Sequence, residues 1–158
     1  RGPLFISDTS ININPNAKGL AKIAQMTSHT AALFGIQPKV AMLSYSNFGS
    51  SKNEDAQKVS KAVKLIHRFL PDIAVDGPIQ ADFALNKTML TNKFPFSKIA
   101  GAAVNTLVLP DLNAANIAYK LIKELDNALS IGPIMMGLKH PVHILQLGAS
   151  VDLSLIHI

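Results

Sequence analysis

Short apolar segments alternate with longer segments of helical period along the whole chain, and this order limits the folds that it can adopt. In the longer segments apolar residues recur three and four positions apart, as Ala56, Val59 and Val63 do. Strands that alternate with helices pair in parallel, because each helix returns the chain to the same edge of the sheet. The sequence therefore predicts an α/β fold with a largely parallel sheet and helices on both faces. The predicted strands are residues 4–6, 40–43, 73–75, 106–109 and 131–136.

Helix-start signals divide these segments. Asn14 followed by Pro15 predicts an N-cap with proline at the first helical position. Ser51 and Glu54 have the spacing of a capping box, so they predict the start of the second long helix. Asp111 predicts the cap of a helix that runs to about residue 126, whereas residues 86–98 have no clear period and are predicted to be a surface excursion.

Composition excludes several classes of protein. The 158 residues, 48% hydrophobic and 16% charged, predict one globular domain, and no apolar run reaches the ~18–20 residues of a membrane span. Cysteine is absent, which excludes disulfides, thiolate catalysis and zinc sites with cysteine ligands. The net charge of +5 comes from dispersed basic residues, which favours solvated helix faces over a nucleic-acid or membrane surface. We expect a cytoplasmic protein, and a start almost inside a strand without methionine predicts a piece of a longer polypeptide.

Three predicted strand-to-helix turns are rich in small polar and acidic residues: 44–51, 76–82 and 111–116. In a parallel sheet all such turns lie at one edge, where these folds bind their ligands. The alternative is that these residues are only turn and cap residues. The predicted ligand-binding residues are Ser46, Asn47, Ser50, Ser51, Asp76, Gln80, Asn113 and Asn116.

The turn at residues 44–51 has features of an anion site. Backbone N–H groups at the start of the following helix and the hydroxyls of Ser46, Ser50 and Ser51 are donors that suit a phosphate. The turn is not a P-loop, because the terminal Gly-Lys-Ser/Thr is missing. His29 and His67 lack an acidic or histidine neighbour at the spacing of helical metal ligands, so no metal site is predicted.

Several ordered motifs resemble the phosphate acetyl/butyryl transferase family over about residues 3–151: "PKVAMLSYSNFGSS", "DIAVDGPIQAD", "LPDLNAANIAYKLIKEL" and "IGPIMMGLKHPVHIL". The resemblance implies an isocitrate/isopropylmalate dehydrogenase-like fold. Residues 1–135 would be its second subdomain, and residues 136–151 would start the return to the first. Residues 152–158 do not follow the family pattern and are predicted to be a non-native tail.

The resemblance also implies a chemistry, because the family transfers an acyl group between phosphate and coenzyme A without a metal. Active members carry a Ser-Arg pair before a Gly-x-Ser-Val motif and an aspartate shortly after it. Gln146, Leu147 and Leu153 stand at those three positions here. We therefore expect no catalytic residues in this chain, which would be inactive alone.

"SNFGS", "HPVHILQ" and "GPLFISDT" resemble the transferase-like C-terminal domain of bacterial NADP-dependent malic enzymes. That resemblance implies a domain that senses acetyl-CoA, or binds an acyl phosphate, and supports homo-oligomerisation. It would hold no cofactor itself, since NADP and a divalent metal would bind the upstream malic enzyme domain. The alternatives are a fragment of an active phosphate acyltransferase and a purely structural dimerisation module.

Overall fold

The computed structural model describes residues 2–126, 129–140, 142 and 144. Strands and helices alternate through most of this part of the chain. The elements are β1 (Phe5–Ser7), α1 (Ala17–Leu33), β2 (Val40–Leu43), α2 (Glu54–Phe69), β3 (Val75–Ile79), α3 (Ala81–Leu85), α4 (Lys87–Lys93), β4 (Thr106–Val108) and α5 (Leu112–Leu125).

The described strands form one four-stranded sheet in the order β1-β4-β2-β3. Every pair is parallel, with Phe5 opposite Thr106, and Val40 opposite both Thr106 and Val75. β4, the last strand in sequence, therefore lies between β1 and β2. The predicted parallel α/β fold is confirmed.

Helices cover both faces of the sheet, as predicted. Successive strand residues point to opposite faces, so Val40 and Met42 face one core while Ala41 and Leu43 face the other. The first core is closed by α1 and α2, through residues such as Leu20 and Ile66. The second core is closed by residues from α3, α4 and α5 and the segment that precedes β4; they include Ala84, Leu90, Ile99 and Ala115.

Two helix starts differ from the prediction. Asn16, not Asn14, caps α1, and its side chain accepts a hydrogen bond from Gly19 N at 2.9 Å. Asn53, not Ser51, caps α2 and accepts from Asp55 N at 2.9 Å. In both cases a nearby asparagine has the extended backbone that a cap requires, and the sequence offered two suitable polar residues within one turn.

Three predicted segments are corrected. β3 spans Val75–Ile79, not residues 73–75, because an edge strand accommodates Pro78 without losing a ladder hydrogen bond to a second neighbour. Residues 86–98 contain helix α4, which Asn86 caps by accepting from Met89 N at 3.0 Å. Residues 131–136 do not form a strand of the four-stranded sheet, and within them only Ile134 forms a β-bridge.

Among the described residues no helix is both long and apolar enough to cross a bilayer. The predicted division at residue 135 stays a prediction, since nearly all residues beyond 140 lie outside the described part.

Candidate functional site

The loops that follow the four strands meet at the carboxyl edge of the sheet. We call residues 8–16, between β1 and α1, the β1 loop, and residues 44–53, between β2 and α2, the β2 loop. β3 is followed directly by Gln80 and α3, and β4 is followed by residues 109–111 and α5. Hydrogen bonds gather these loops into two groups.

Asn47 and Gln80 join the β2 loop to the end of β3. Asn47 Nδ2 donates to Gln80 Oε1 at 2.6 Å, and Asn47 Oδ1 accepts from Gln80 N at 2.9 Å. Gln80 Nε2 then donates to Tyr45 O at 2.8 Å. We call this pair the amide clamp, since it uses both side-chain amides to hold the β2 loop against β3.

Ser50 and Ser51 organise the β2 loop from within. Ser50 Oγ accepts from Asn47 N at 3.1 Å, and Ser51 Oγ accepts from Asn53 N at 3.2 Å. Ser51 Oγ is also hydrogen-bonded to the hydroxyl of Tyr45 at 2.9 Å. Ser50 is exposed, so its hydroxyl hydrogen can still reach a ligand.

Ser46 differs from its neighbours. Its side chain is 4% exposed, and its Oγ has no hydrogen-bond partner. A ligand atom therefore cannot reach this hydroxyl while the β2 loop holds its present conformation.

Phe48 anchors the same loop in a left-handed backbone conformation, with φ at 43°. Its N–H donates to Pro78 O at 2.7 Å. Its ring packs against Phe94 and Phe96, with centroids 4.8 and 5.0 Å away. Because a bulky residue rarely adopts positive φ, these contacts must hold it there.

The start of α2 is not set up for an anion. The cap of Asn53 satisfies Asp55 N, and the first turn carries the carboxylates of Glu54 and Asp55. Negative charge at a helix start repels a phosphate. Of the two kinds of donor predicted for an anion, the loop hydroxyls therefore remain candidates, whereas the backbone N–H groups at the start of α2 do not.

Asp8 organises the second group of loops. Its carboxylate accepts from Ser10 N at 2.9 Å, Ile11 N at 3.0 Å and Asn12 N at 2.9 Å, and from Asn12 Nδ2 at 2.6 Å. Burial alone would raise the pKa of Asp8, but these hydrogen bonds outweigh it and lower the pKa below its ordinary value of 3.8. The β1 loop is therefore built around a carboxylate.

The β1 loop is joined to α5. Leu112 N donates to Ile13 O at 3.0 Å, and Asn116 Nδ2 donates to Thr9 O at 3.1 Å. The predicted cap is confirmed, as Asp111 Oδ1 accepts from Ala114 N at 2.9 Å. Asn113 is exposed at this helix start, so it is open to a ligand.

The two groups of loops diverge at a topological switch point, at the carboxyl ends of the neighbouring strands β4 and β2; we call the region outside these two strand ends the crevice. The chain leaves β2 for α2 on one face of the sheet, and it leaves β4 for α5 on the other. Such a switch point leaves a space outside the strand ends, and open α/β sheets bind ligands there. On one side Lys58 Nζ donates to Asn14 Oδ1 at 2.7 Å, which links α2 to the β1 loop. Lys58 therefore places a positive charge beside the crevice, and its hydrogen-bond partner, the amide of Asn14, is neutral.

Asp76 lies within β3 and not in a turn at the carboxyl edge. Its side chain is 8% exposed. It accepts from Ser97 Oγ at 2.9 Å, Lys98 N at 2.8 Å and Gly77 N at 2.9 Å. These bonds fix the segment before β4 to the edge of the sheet, so Asp76 has a structural task whatever else it does.

The three positions predicted to lack catalytic groups, Gln146, Leu147 and Leu153, lie outside the described residues. Within the part that the structure describes, no three His, Asp or Glu side chains come together as metal ligands. His67 instead makes a 2.8 Å hydrogen bond with Val75 O.

A cavity of about 280 Å³ lies elsewhere, in the groove between α1 and α2. The predicted site residues do not line it. Its lining consists of Lys18, Ala21, Lys22, Gln25, Leu65, Ile66, Phe69 and Leu70.

The sequence did not single out Tyr45, Phe48 or Lys58, all of which contribute to this edge. The sequence did offer a signal for Phe48, because the glycine that follows it is typical of a turn with positive φ. In the structure Gly49 has a φ of 89°. No local signal marks Lys58, whose partner is 44 residues away in sequence.

Comparison with known families adds a clear result. The model described as "Phosphate acetyl/butaryl transferase" matches residues 1–156. The phosphate acetyltransferase of Clostridium acetobutylicum is 44% identical over 150 residues, which are 94% of this chain and 45% of that protein. The NADP-dependent malic enzyme of Haemophilus influenzae is 41% identical over 150 residues, 95% of this chain and 20% of that enzyme.

A solved structure has the same fold. The EutD phosphotransacetylase from Staphylococcus aureus superposes with a TM-score of 0.88 at 37% identity. The match covers 97% of this chain and 48% of that one. The chain thus spans less than half the length of each of these three relatives.

Proposed function

The chain belongs to the phosphate acetyl/butaryl transferase family, and from that premise we propose that it binds an acyl-CoA or acyl phosphate without transferring the acyl group. The chain is a phosphate acetyltransferase-like domain, and its relatives include both phosphate acetyltransferases and malic enzymes. In our proposal the polypeptide is an NADP-dependent malic enzyme, and this domain senses acetyl-CoA.

The observation that carries the binding proposal is the crevice between the ends of β4 and β2. It lies at the switch point of a parallel sheet, and Ser50 and Asn113 are exposed on its two sides. Lys58 adds a cation whose partner is the neutral amide of Asn14. Hydroxyl, amide and ammonium donors suit the phosphates of coenzyme A or of an acyl phosphate.

The absence of catalysis is proposed from the sequence. Leu147 stands where the family arginine would bind phosphate, and a leucine side chain has no donor. Gln146 stands where the family serine would be and carries no charge. Phosphoryl-bearing transition states need fixed positive charge, so this substitution would remove a large electrostatic contribution.

Isothermal titration of acetyl-CoA into the complete gene product tests this function, with malate-dependent NADPH production followed in parallel. We expect binding and a change in the NADPH rate. Asn113→Ala should weaken the affinity several-fold, while Asn92→Ala, an exposed asparagine on α4, should not. Wild-type protein that binds no acetyl-CoA would contradict the proposal.

A second candidate function is active acyl transfer. Its support is that phosphate acetyltransferases match this chain at 40–44% identity, a range that includes the 41% of the malic enzymes, so identity does not favour the malic enzymes. Formation of acetyl-CoA from acetyl phosphate and coenzyme A by the complete gene product would establish it and refute the non-catalytic proposal.

A third candidate is a dimerisation module, supported by one face of α5. Ile117, Leu121 and Leu125 recur every four residues and are 58%, 52% and 83% exposed. Leu121→Lys should lower the molar mass measured by light scattering if this face joins two copies. Lys120→Ala on the same helix is the control, and a molar mass that Leu121→Lys leaves unchanged would exclude the face as an interface.

A further inference from the structure

We infer that the β2 loop has two states: closed, as in this structure, and open when a phosphate-bearing ligand occupies the crevice. This inference rests on the proposed function. In the open state the Ser46 hydroxyl donates to a phosphate oxygen of the ligand. The inference deepens the binding proposal by naming a residue that the closed structure hides and the movement that exposes it.

Two features within three consecutive residues, 46–48, disfavour the closed state. The Ser46 hydroxyl, 4% exposed and without a partner, has lost its hydrogen bonds to water and gained none. Phe48, two residues later, is held at a φ of 43°, which a bulky side chain rarely adopts. Orphaned polar groups and strained backbone of this kind concentrate at ligand clamps and switches.

Two other features hold the loop closed. The amide clamp of Asn47 and Gln80 joins it to the end of β3. The ring of Phe48 packs against Phe94 and Phe96. Because these favourable contacts are opposed by the unpaired hydroxyl and the strained backbone, the free energy for opening the β2 loop is below that for unfolding the whole protein.

A ligand can shift this equilibrium, because it interacts differently with the two states. Only the open state offers it the Ser46 hydroxyl, and a ligand that binds one state better raises the population of that state. Ser50 and Lys58 are accessible before opening, so they can make the first contacts. Opening then converts the unpaired hydroxyl into a donor to a charged acceptor.

Ser46→Ala gives effects of opposite sign on stability and on binding. Removing an unpaired buried hydroxyl should raise the melting temperature of the ligand-free gene product by about 2–4 °C. The same change should weaken acetyl-CoA binding about 3- to 10-fold, because one hydrogen bond to the ligand is lost. A hydroxyl with a purely structural role would not produce this pair of effects.

Ser97→Ala is the matched control. Ser97 is similarly buried, at 6% exposure, but it donates to Asp76 Oδ2 at 2.9 Å. Its loss should lower the melting temperature and leave the acetyl-CoA affinity unchanged. Wild-type affinity in Ser46→Ala would overturn the inference while the proposed function stands.

Hydrogen exchange tests the loop without a ligand. Gln80→Ala removes the side chain that accepts from Asn47 Nδ2 and donates to Tyr45 O, so the amides of residues 45–51 should exchange at least about tenfold faster than in wild type. Amides of β2, such as that of Met42, should be unaffected. Equal exchange of the loop in both proteins would refute the two-state loop, whether or not acetyl-CoA binds.

Discussion

The side chains of Asn47 and Gln80 meet across 33 residues of sequence and tie two loops into one unit. Asn47 donates to Gln80 Oε1 at 2.6 Å and accepts from Gln80 N at 2.9 Å. Because Gln80 directly follows β3, the β2 loop cannot change its conformation without releasing the end of a strand. The β2 loop at the carboxyl edge is thereby coupled to the sheet.

Asn47→Ala should lower the free energy of unfolding by about 2 kcal/mol, since two hydrogen bonds are lost and the Gln80 N–H loses its acceptor. Denaturant titration measures this change. Asn113→Ala removes an exposed amide from the other group of loops and should change stability by less than about 0.5 kcal/mol. Equal losses in the two variants would mean that the clamp contributes nothing specific.

Asp76→Ala should lower the free energy of unfolding by about 3 kcal/mol, because a buried carboxylate that accepts from Ser97, Lys98 and Gly77 disappears. Asp82→Ala, at an exposed position in α3, should have little effect. Chemical denaturation of both variants gives the comparison. An Asp76 variant that keeps its stability but loses acetyl-CoA affinity would favour the predicted ligand role over the structural one.

The sequence predicted the fold well where the signal was local. The strand at residues 40–43 follows from its apolar run, and Ala56, Val59 and Val63 of α2 are buried as their spacing predicts. The apolar composition of residues 131–136 predicted a fifth strand, but the segment is not one of the four strands of the sheet and only Ile134 forms a β-bridge. Whether an apolar run pairs depends on a free strand edge elsewhere in the molecule, which local sequence does not encode.

The site was predicted only in part, for the same reason. The polar residues of the turns do gather at one edge, but their pairing is non-local: Asn116 contacts Thr9, 107 positions away. Asp76 was placed in a turn because Gly77 and Pro78 resemble a strand end. Ser46 was predicted as an exposed donor, and its burial depends on how the β2 loop folds back on β3.

Gly77→Ala should prevent stable folding. The φ of Gly77 is 146°, and a Cβ there would overlap the backbone carbonyl oxygen of Met42 on the neighbouring strand β2. Neither backbone can move without breaking the sheet, so we expect the free energy of unfolding to fall by several kcal/mol. Gly101→Ala is the control: its φ is 75° but a Cβ would meet nothing within 4 Å, so the cost should be about 1 kcal/mol. Soluble yield and thermal melting separate the two, and a folded Gly77→Ala protein would contradict the close approach.

Asp8 makes the stability of the β1 loop depend on pH. Hydrogen bonds from Ser10, Ile11 and Asn12 outweigh burial and lower the pKa of Asp8 in the folded state. A carboxyl with a lowered pKa stabilises the fold above its unfolded pKa, about 3.9, and this contribution is lost as the pH falls through the folded pKa. Melting temperatures of wild type and Asp8→Asn should therefore differ most at neutral pH and converge as the pH falls through the lowered pKa of Asp8. The exposed Asp72→Asn is the control, and a difference between Asp8→Asn and wild type that does not vary with pH would show that the Asp8 charge is not what organises the loop.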